Sequence, residues 1–272
     1  MSTIERLMMR QAAASRKGNT VKLRGKFAVV TGGGSGIGLA ITKALRSASV
    51  EVLIVGRDPR RLATAQGRDP GISTFVADLT DEGDRDRLVE HVAGGRELDV
   101  LVNNAGTMTD IDLHDPSALL AMESELALDL SAPMHLTMSL LPILRGRPEA
   151  AVVNVSTGLV YAPFGRMPGY AIAKAGVHAF SQALRHQTRG DTLHLLEVLP
   201  PTVDTELTSK YGGSKIKPDK VGSAVVKALT NDTTELRIGQ TKFLYAMSRI
   251  APNAIFTMMN KAADSLAAKA QS

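Results

Sequence analysis

Residues 27–47 read FAVVTGGGSGIGLAITKALRS: a short β-branched run, a turn with glycine at 32, 33, 34, 36 and 38, then apolar residues at helical spacing. A strand that feeds a helix through glycines is the opening half of a βαβ unit. Glycine lets the backbone turn tightly, and the amides that open the following helix carry partial positive charge, so such a turn suits a phosphate. Taken alone it is equally a plain tight turn.

The remaining chain repeats the alternation. Apolar runs EVLIVG (51–56), STFVAD (73–78), LDVLVNN (98–104), AAVVNVS (150–156) and LHLLEVL (193–199) join FAVVT (27–31) as six strands. Between and after them, helical spacing predicts helices from Pro59, over 82–93, 117–141, 169–188, 220–230 and 253–268. Nearly continuous apolar strands separated by helices require a parallel sheet buried on both faces. With right-handed crossovers this predicts an α/β fold: a single-domain, Rossmann-like doubly wound parallel sheet with helices on both faces. Its ligand crevice lies at the carboxyl ends of the strands. The domain is expected over residues 23–272, preceded by an N-terminal extension, 1–22, whose spaced Ile4, Leu7 and Met8 suit a short helix; Glu5 and the short basic run favour a disordered or subunit-packing arm over a transit peptide. The polar stretch TELTSKYGGSKIKPD (205–219) reads as a mobile flap beside the crevice.

Composition narrows the function classes. Of 272 residues, 44% are hydrophobic and 22% charged, enough for a sizeable core. No cysteine is present, which excludes disulfides and thiolate chemistry, and the six histidines show no metal-ligand spacing, so no metal is expected. No apolar run reaches the length of a membrane span and no signal peptide is evident, so a cytoplasmic protein is expected. The net charge of +5 is dispersed among acidic residues, with four tyrosines, six phenylalanines and no tryptophan, so nucleic acid is not an expected partner.

The second strand ends VGRDPRRL (55–62). An acidic residue at that strand end would grip the ribose hydroxyls of a bound dinucleotide. Gly56 and Arg57 stand there instead, and a guanidinium suits a 2′-phosphate, so NADP(H) is expected over NAD(H). Asp58, directly before Pro59, suits a helix cap. Further along, Tyr170 and Lys174 lie four apart at a helix start and so share one face. A tyrosine ordinarily titrates near pH 10, and a neighbouring ammonium and the positive helix end both favour its phenolate, which makes the pair a candidate acid–base. An isolated tyrosine and lysine at this spacing can equally be core packing and a surface charge.

In order along residues 23–210, the chain carries Thr31, Gly32, Gly36 and Gly38; Asp78 and Leu79; Asn103, Asn104, Ala105 and Gly106; Tyr170 and Lys174; and PPTVDT (200–205). This series resembles the short-chain dehydrogenase/reductase family. NVSTGLVYAP, LRHQ, LPPTVDTEL and RIGQTKFLYAMSRIAPNAIF further resemble its subgroup that includes the oxidoreductase encoded in lipoteichoic acid D-alanylation operons. The resemblance implies hydride transfer between NADP(H) and a carbonyl or secondary alcohol substrate, in a homodimer or homotetramer joined through the helices at 117–141 and 169–188. It implies cofactor contacts from Gly32, Gly34, Ser35, Gly36, Ile37 and Gly38, from Arg57, Asp78 and Leu79, and from Asn104, Ala105 and Gly106. Pro200, Val203, Thr205, Tyr170 and Lys174 complete that set.

The resemblance also implies a substrate-facing hydroxyl thirteen residues before the tyrosine. That position is Thr157 where the family has serine; Ser156 is the second candidate. In ESELALDLSAP (123–133), Asp129 stands where the family has an asparagine that links to the lysine through water. Aspartate, when ionised, donates no hydrogen bond, so Asp129 is included with the catalytic candidates. It also opens an alternative: an NADP(H)-binding sensor or interaction protein of weak or no activity. The pocket wall is expected to include Met108, Leu159, Tyr161, Met167 and Thr202. Lys210, Lys215 and Lys217 offer charge to an acidic substrate group, and Ile255, Met258, Met259, Ala262 and Leu266 form the inward stripe of the last helix.

Overall fold

A computed structural model describes residues 20–271; the expected N-terminal helix of Ile4, Leu7 and Met8 lies outside them. The sheet has seven parallel strands in the order β3-β2-β1-β4-β5-β6-β7. They are β1 (Phe27–Thr31), β2 (Glu51–Gly56), β3 (Ile72–Val76), β4 (Val100–Asn103), β5 (Ala150–Val155), β6 (Leu193–Leu199) and β7 (Glu235–Arg237). The register pairs Ala28 with both Val52 and Val100, so β1 sits between β2 and β4, where the order reverses direction.

Alternation along the strands divides the core. Val30, Ile54, Val102, Val153 and Leu196 face one side, against α1 (Gly36–Ser47), α2 (Pro59–Gln66) and α7 (Pro218–Leu229). Their neighbours Val29, Leu53, Leu101, Val152 and Leu195 face the other, against α3 (Glu82–Ala93), α5 (Ala132–Arg145) and α6 (Pro168–Gln187). Each large side chain moved from water into such a core contributes about 1.5–3 kcal/mol. The two layers therefore hold the sheet rigid, and its carboxyl edge inherits that rigidity.

Four elements depart from expectation. The expected helix over 117–141 is α4 (Ala118–Leu126), one wider π turn (Ala127–Ser131), then α5, which runs to Arg145. Pro133 accounts for the interruption: it has no amide to bond the Asp129 carbonyl, and its ring pushes that carbonyl aside. A seventh strand, β7, joins the six, and α8 (Thr241–Ile250) follows it. β7 escapes a reading by apolar period because it is three half-buried residues, ELR, at the sheet edge. The last helix, α9 (Pro252–Gln271), buries Ile255 and half-buries Met259, but exposes Met258 and Ala262, so the expected inward stripe is narrower; the Leu266 side chain lies outside the described positions. The stretch 205–219 contains a short 3-10 turn, Glu206–Thr208, and Ile216, which forms an isolated bridge with Val203.

Among the described residues, Ala118–Arg145 is long and apolar enough to cross a membrane by length and composition. Here its inner stripe of Ala132, Leu136, Leu140 and Leu144 packs on the sheet, and it carries the buried carboxylates Glu125 and Asp129.

Leu140 has no exposed surface in this layer. Leu140→Ala is expected to lower unfolding free energy by about 2–5 kcal/mol, measured by urea denaturation.

Candidate active site

The glycine turn is shaped by close approach. Gly32 and Gly36 have φ of 64° and 52°, the left-handed region that favours glycine. A Cβ at Gly32 would meet the Ala105 Cα and the Asn104 amide nitrogen at 3.0 Å, and one at Gly38 would run into the Gly32 carbonyl oxygen. Gly32, Gly34, Ser35, Gly36 and Ile37 border a cleft of about 980 Å³ along the strand carboxyl ends. Gly38 does not border it; Gly38 lets the helix start close on Gly32. Such a cradle fits a pyrophosphate, received by the first amides of α1.

The same cleft is bordered by Arg57, Asp78 and Leu79 on the β2 and β3 side, by Asn104, Ala105 and Gly106 after β4, and by Pro200, Val203 and Thr205 after β6. Asp78 accepts from the Thr80 amide at 3.0 Å and its hydroxyl at 2.8 Å, which holds the Asp78 carboxyl below its usual range, with Arg57 adding to the effect. Asn104 joins β4 to β1, its side chain donating to the Thr31 carbonyl at 2.9 Å while the Thr31 hydroxyl accepts its amide at 2.9 Å. Asp58 caps α2 through the Arg60 and Arg61 amides. Arg61, missed in the sequence, reaches across to Glu206 with Nη1 2.9 Å from Oε2 and Nη2 donating to Oε1 at 3.0 Å. Its signal was only a third arginine, four positions beyond Arg57 and directly after Arg60.

At the other end of the cleft, α6 presents Tyr170 and Lys174 on one face, with the Lys174 ammonium 5.7 Å from the tyrosine ring centre. Lys174 is 4% exposed, its ammonium 3.3 Å from Asp129 Oδ2 and donating to the Val155 carbonyl at 3.3 Å. Burial works against that charge, but Asp129 and then Tyr170 outweigh it and hold Lys174 above the ordinary lysine value. Asp129, in the π turn and fully buried, is pushed up by burial; Lys174 and the Thr107 amide, which donates at 2.7 Å, oppose this. Burial also raises the Tyr170 phenol, Lys174 and a hydrogen bond from Thr157 lower it, and Asp129 raises it again. At neutral pH this is a phenol poised to donate, beside a fixed cation.

The two hydroxyl candidates separate. Thr157 caps a short 3-10 turn, Gly158–Val160, and faces Tyr170. Ser156 borders the cleft, but its hydroxyl donates to the buried Glu197 at 2.6 Å. Of the expected wall residues, Met108, Leu159, Met167 and Thr202 border the cleft. Tyr161 does not: its hydroxyl accepts from Arg237 at 3.0 Å and its ring lies edge-on to His178 and Tyr245, so the polar network behind β6 draws it out of the wall. Lys210 reaches Asp110 at 3.4 Å beside the cleft, whereas Lys215 donates to the Thr208 carbonyl and Lys217 sits at the start of α7. Glu125, unforeseen, accepts the Thr109 amide at 2.5 Å one turn before Asp129, so two buried carboxylates hold alternate amides of the loop after β4. Their spacing of four on a helix was visible in the sequence, but not which way the helix faces.

The family model for short chain dehydrogenases matches residues 26–215. An oxidoreductase of Bacillus subtilis (strain 168), DltE, described as uncharacterized, is 39% identical over 192 residues, covering 70% of this chain and 76% of its own. A short chain dehydrogenase of Burkholderia cenocepacia J2315, solved in complex with NADP, shares the fold with a TM-score of 0.77 at 21% identity, over 87% of this chain and 98% of that one. A chain from Beutenbergia cavernae, solved with NADP at low occupancy, has a TM-score of 0.70 at 26% identity, over 79% of this chain and 95% of that one. The motifs in order, the seven-stranded sheet and these likenesses give one result: the chain belongs to the short-chain dehydrogenase/reductase family and is an NAD(P)-dependent oxidoreductase.

Proposed function

We propose that the protein is an NADP(H)-dependent carbonyl reductase or alcohol dehydrogenase. The observation that carries this reading is the meeting of Tyr170, Lys174 and Thr157 beside one cleft whose other end is the glycine cradle. The nicotinamide, when bound, supplies or accepts the hydride. Tyr170 donates the proton to the carbonyl oxygen in reduction and takes it back in oxidation. Thr157 donates a hydrogen bond to the same oxygen, and Lys174 sets the charge beside the phenol. Ser156 is assigned away from the substrate, because its hydroxyl is already given to Glu197.

Arg57 at the end of β2, in place of a carboxylate, supports NADP(H) over NAD(H), as does the NADP held by the Beutenbergia cavernae chain. A homodimer is assigned to the faces of α4, α5 and α6 that leave Leu119, Leu120, Met138 and Ile172 exposed. A second reading, a dinucleotide-binding sensor of weak turnover, is favoured by one observation, the direct Lys174–Asp129 ion pair.

Following NADPH absorbance with a panel of ketones and aldehydes tests the enzyme reading against the sensor. Tyr170→Phe is expected to lower kcat by about 10²–10⁴-fold while NADPH binding persists; binding without turnover in the unmodified protein favours the sensor. Arg57→Leu is expected to raise the Kd for NADPH and leave that for NADH unchanged, checked by fluorescence titration. The rate of reduction falls as pH rises through the Tyr170 pKa, because the donor loses its proton. Asp129 raises that pKa, so Asp129→Asn is expected to move the alkaline limb of kcat to lower pH; an unmoved limb contradicts the assignment.

A further inference from the structure

Glu197 lies within β6 with no exposed surface and makes no contact with Tyr170 or Lys174 in the mechanism above. A carboxylate buried to this degree needs donors. It has two side chains: Ser156 Oγ donates to Oε1 at 2.6 Å, and His178 Nδ1 lies 2.9 Å and 2.8 Å from Oε1 and Oε2. The three residues come from the end of β5, from β6 and from α6, so the cluster ties together the elements that carry the reacting groups.

Tyr170, Lys174 and His178 stand four apart and share one face of α6. Opposite them lie three consecutive positions at the end of β5. Lys174 donates to the Val155 carbonyl at 3.3 Å, His178 holds Ser156 through Glu197, and Thr157 borders the same cleft as Tyr170. Ser156 is also fixed through its backbone, its amide donating to the Val198 carbonyl at 2.9 Å. The Thr157 main chain continues from a residue held at both main chain and side chain, and the Thr157 hydroxyl accepts the Leu159 amide at 3.3 Å from that position.

We propose that Glu197 is a positioning residue: clasped by His178, it fixes the Ser156 hydroxyl and thereby aims the adjoining Thr157 hydroxyl at Tyr170. The inference rests on the assignment of Thr157 and Tyr170 to the reacting carbonyl. The clasp is also pH-dependent. His178 faces Glu197 from β6, Glu235 from β7, Arg185 on its own helix, and the Tyr161 ring, whose hydroxyl is held by Arg237. The hydrogen bond to Glu197 raises its pKa, burial lowers it, and the charges of Glu197 and Glu235 raise it again, for a net value above the ordinary one. The ion-paired clasp is therefore complete below the ordinary histidine value of about 6.5 and is lost as pH rises through the raised one.

The test uses the full chain with NADP⁺ and combines steady-state kinetics with methyl and histidine-ring NMR. In Glu197→Gln and in the milder Ser156→Ala, kcat is expected to fall about tenfold with KM for NADPH within about twofold, the size of a misaimed donor. The Thr157 side chain is expected to pass from one rotamer to averaging among several. Glu197→Gln is expected to bring the His178 midpoint down, whereas Ser156→Ala leaves it raised, and the double variant loses no more activity than Glu197→Gln alone. A single Thr157 rotamer in both folded variants, or losses that multiply in the double variant, overturns the proposal. Should the unmodified protein turn over no carbonyl compound, the carbonyl-reductase reading fails by itself; the Thr157 rotamer, read without turnover, still decides the positioning.

Discussion

A buried lysine, 4% exposed, is the constraint on which the proposed reacting end depends. Such a charge is tolerated only with close partners. Its partners are Asp129, supplied by the π turn, and the Val155 carbonyl, supplied by the end of β5. Satisfying one cation therefore fixes the helix interruption that Pro133 creates, the axial position of α6 on the sheet, and the strand end that continues into Thr157. The phenol one turn earlier inherits all three placements.

A carboxylate at position 129, where the resemblance implies an asparagine, bears on the electrostatics more than on the architecture. An amide would leave the lysine charge to act fully on Tyr170; Asp129 offsets it, and its own burial draws it toward the neutral acid. The Thr107 and Thr109 amides, held by Asp129 and Glu125, extend the same pair of carboxylates to the loop after β4, which borders the cleft. Charge balance at the lysine and the shape of the cleft floor thus come from one helix face.

Much of this was legible in the residues because it rests on local patterns. FAVVT, EVLIVG and LHLLEVL coincide with β1, β2 and β6, since fully buried parallel strands read as unbroken apolar runs. The glycine turn was legible from backbone need, and Arg57 from its place at a strand end. What escaped depended on partners distant in sequence. Glu197 sits in an apolar run and meets Ser156 and His178 only once β5, β6 and α6 are assembled. Tyr161 looked like a wall residue because Arg237, 76 positions away, was not visible as its partner. β7 carries no apolar period at all, and the bidentate contact of Arg61 with Glu206 spans 145 positions.

The central claim is that a phenol, a paired lysine and a threonine hydroxyl converge on the reacting ring of one dinucleotide. A crystal structure with NADP⁺ measures it directly. The account predicts the Tyr170 oxygen and the Thr157 hydroxyl on the same side of the nicotinamide, each free to reach a single carbonyl oxygen, with the Lys174 ammonium against the adjoining ribose. A phenol turned from the ring, or a dinucleotide seated away from the glycine cradle, would contradict it.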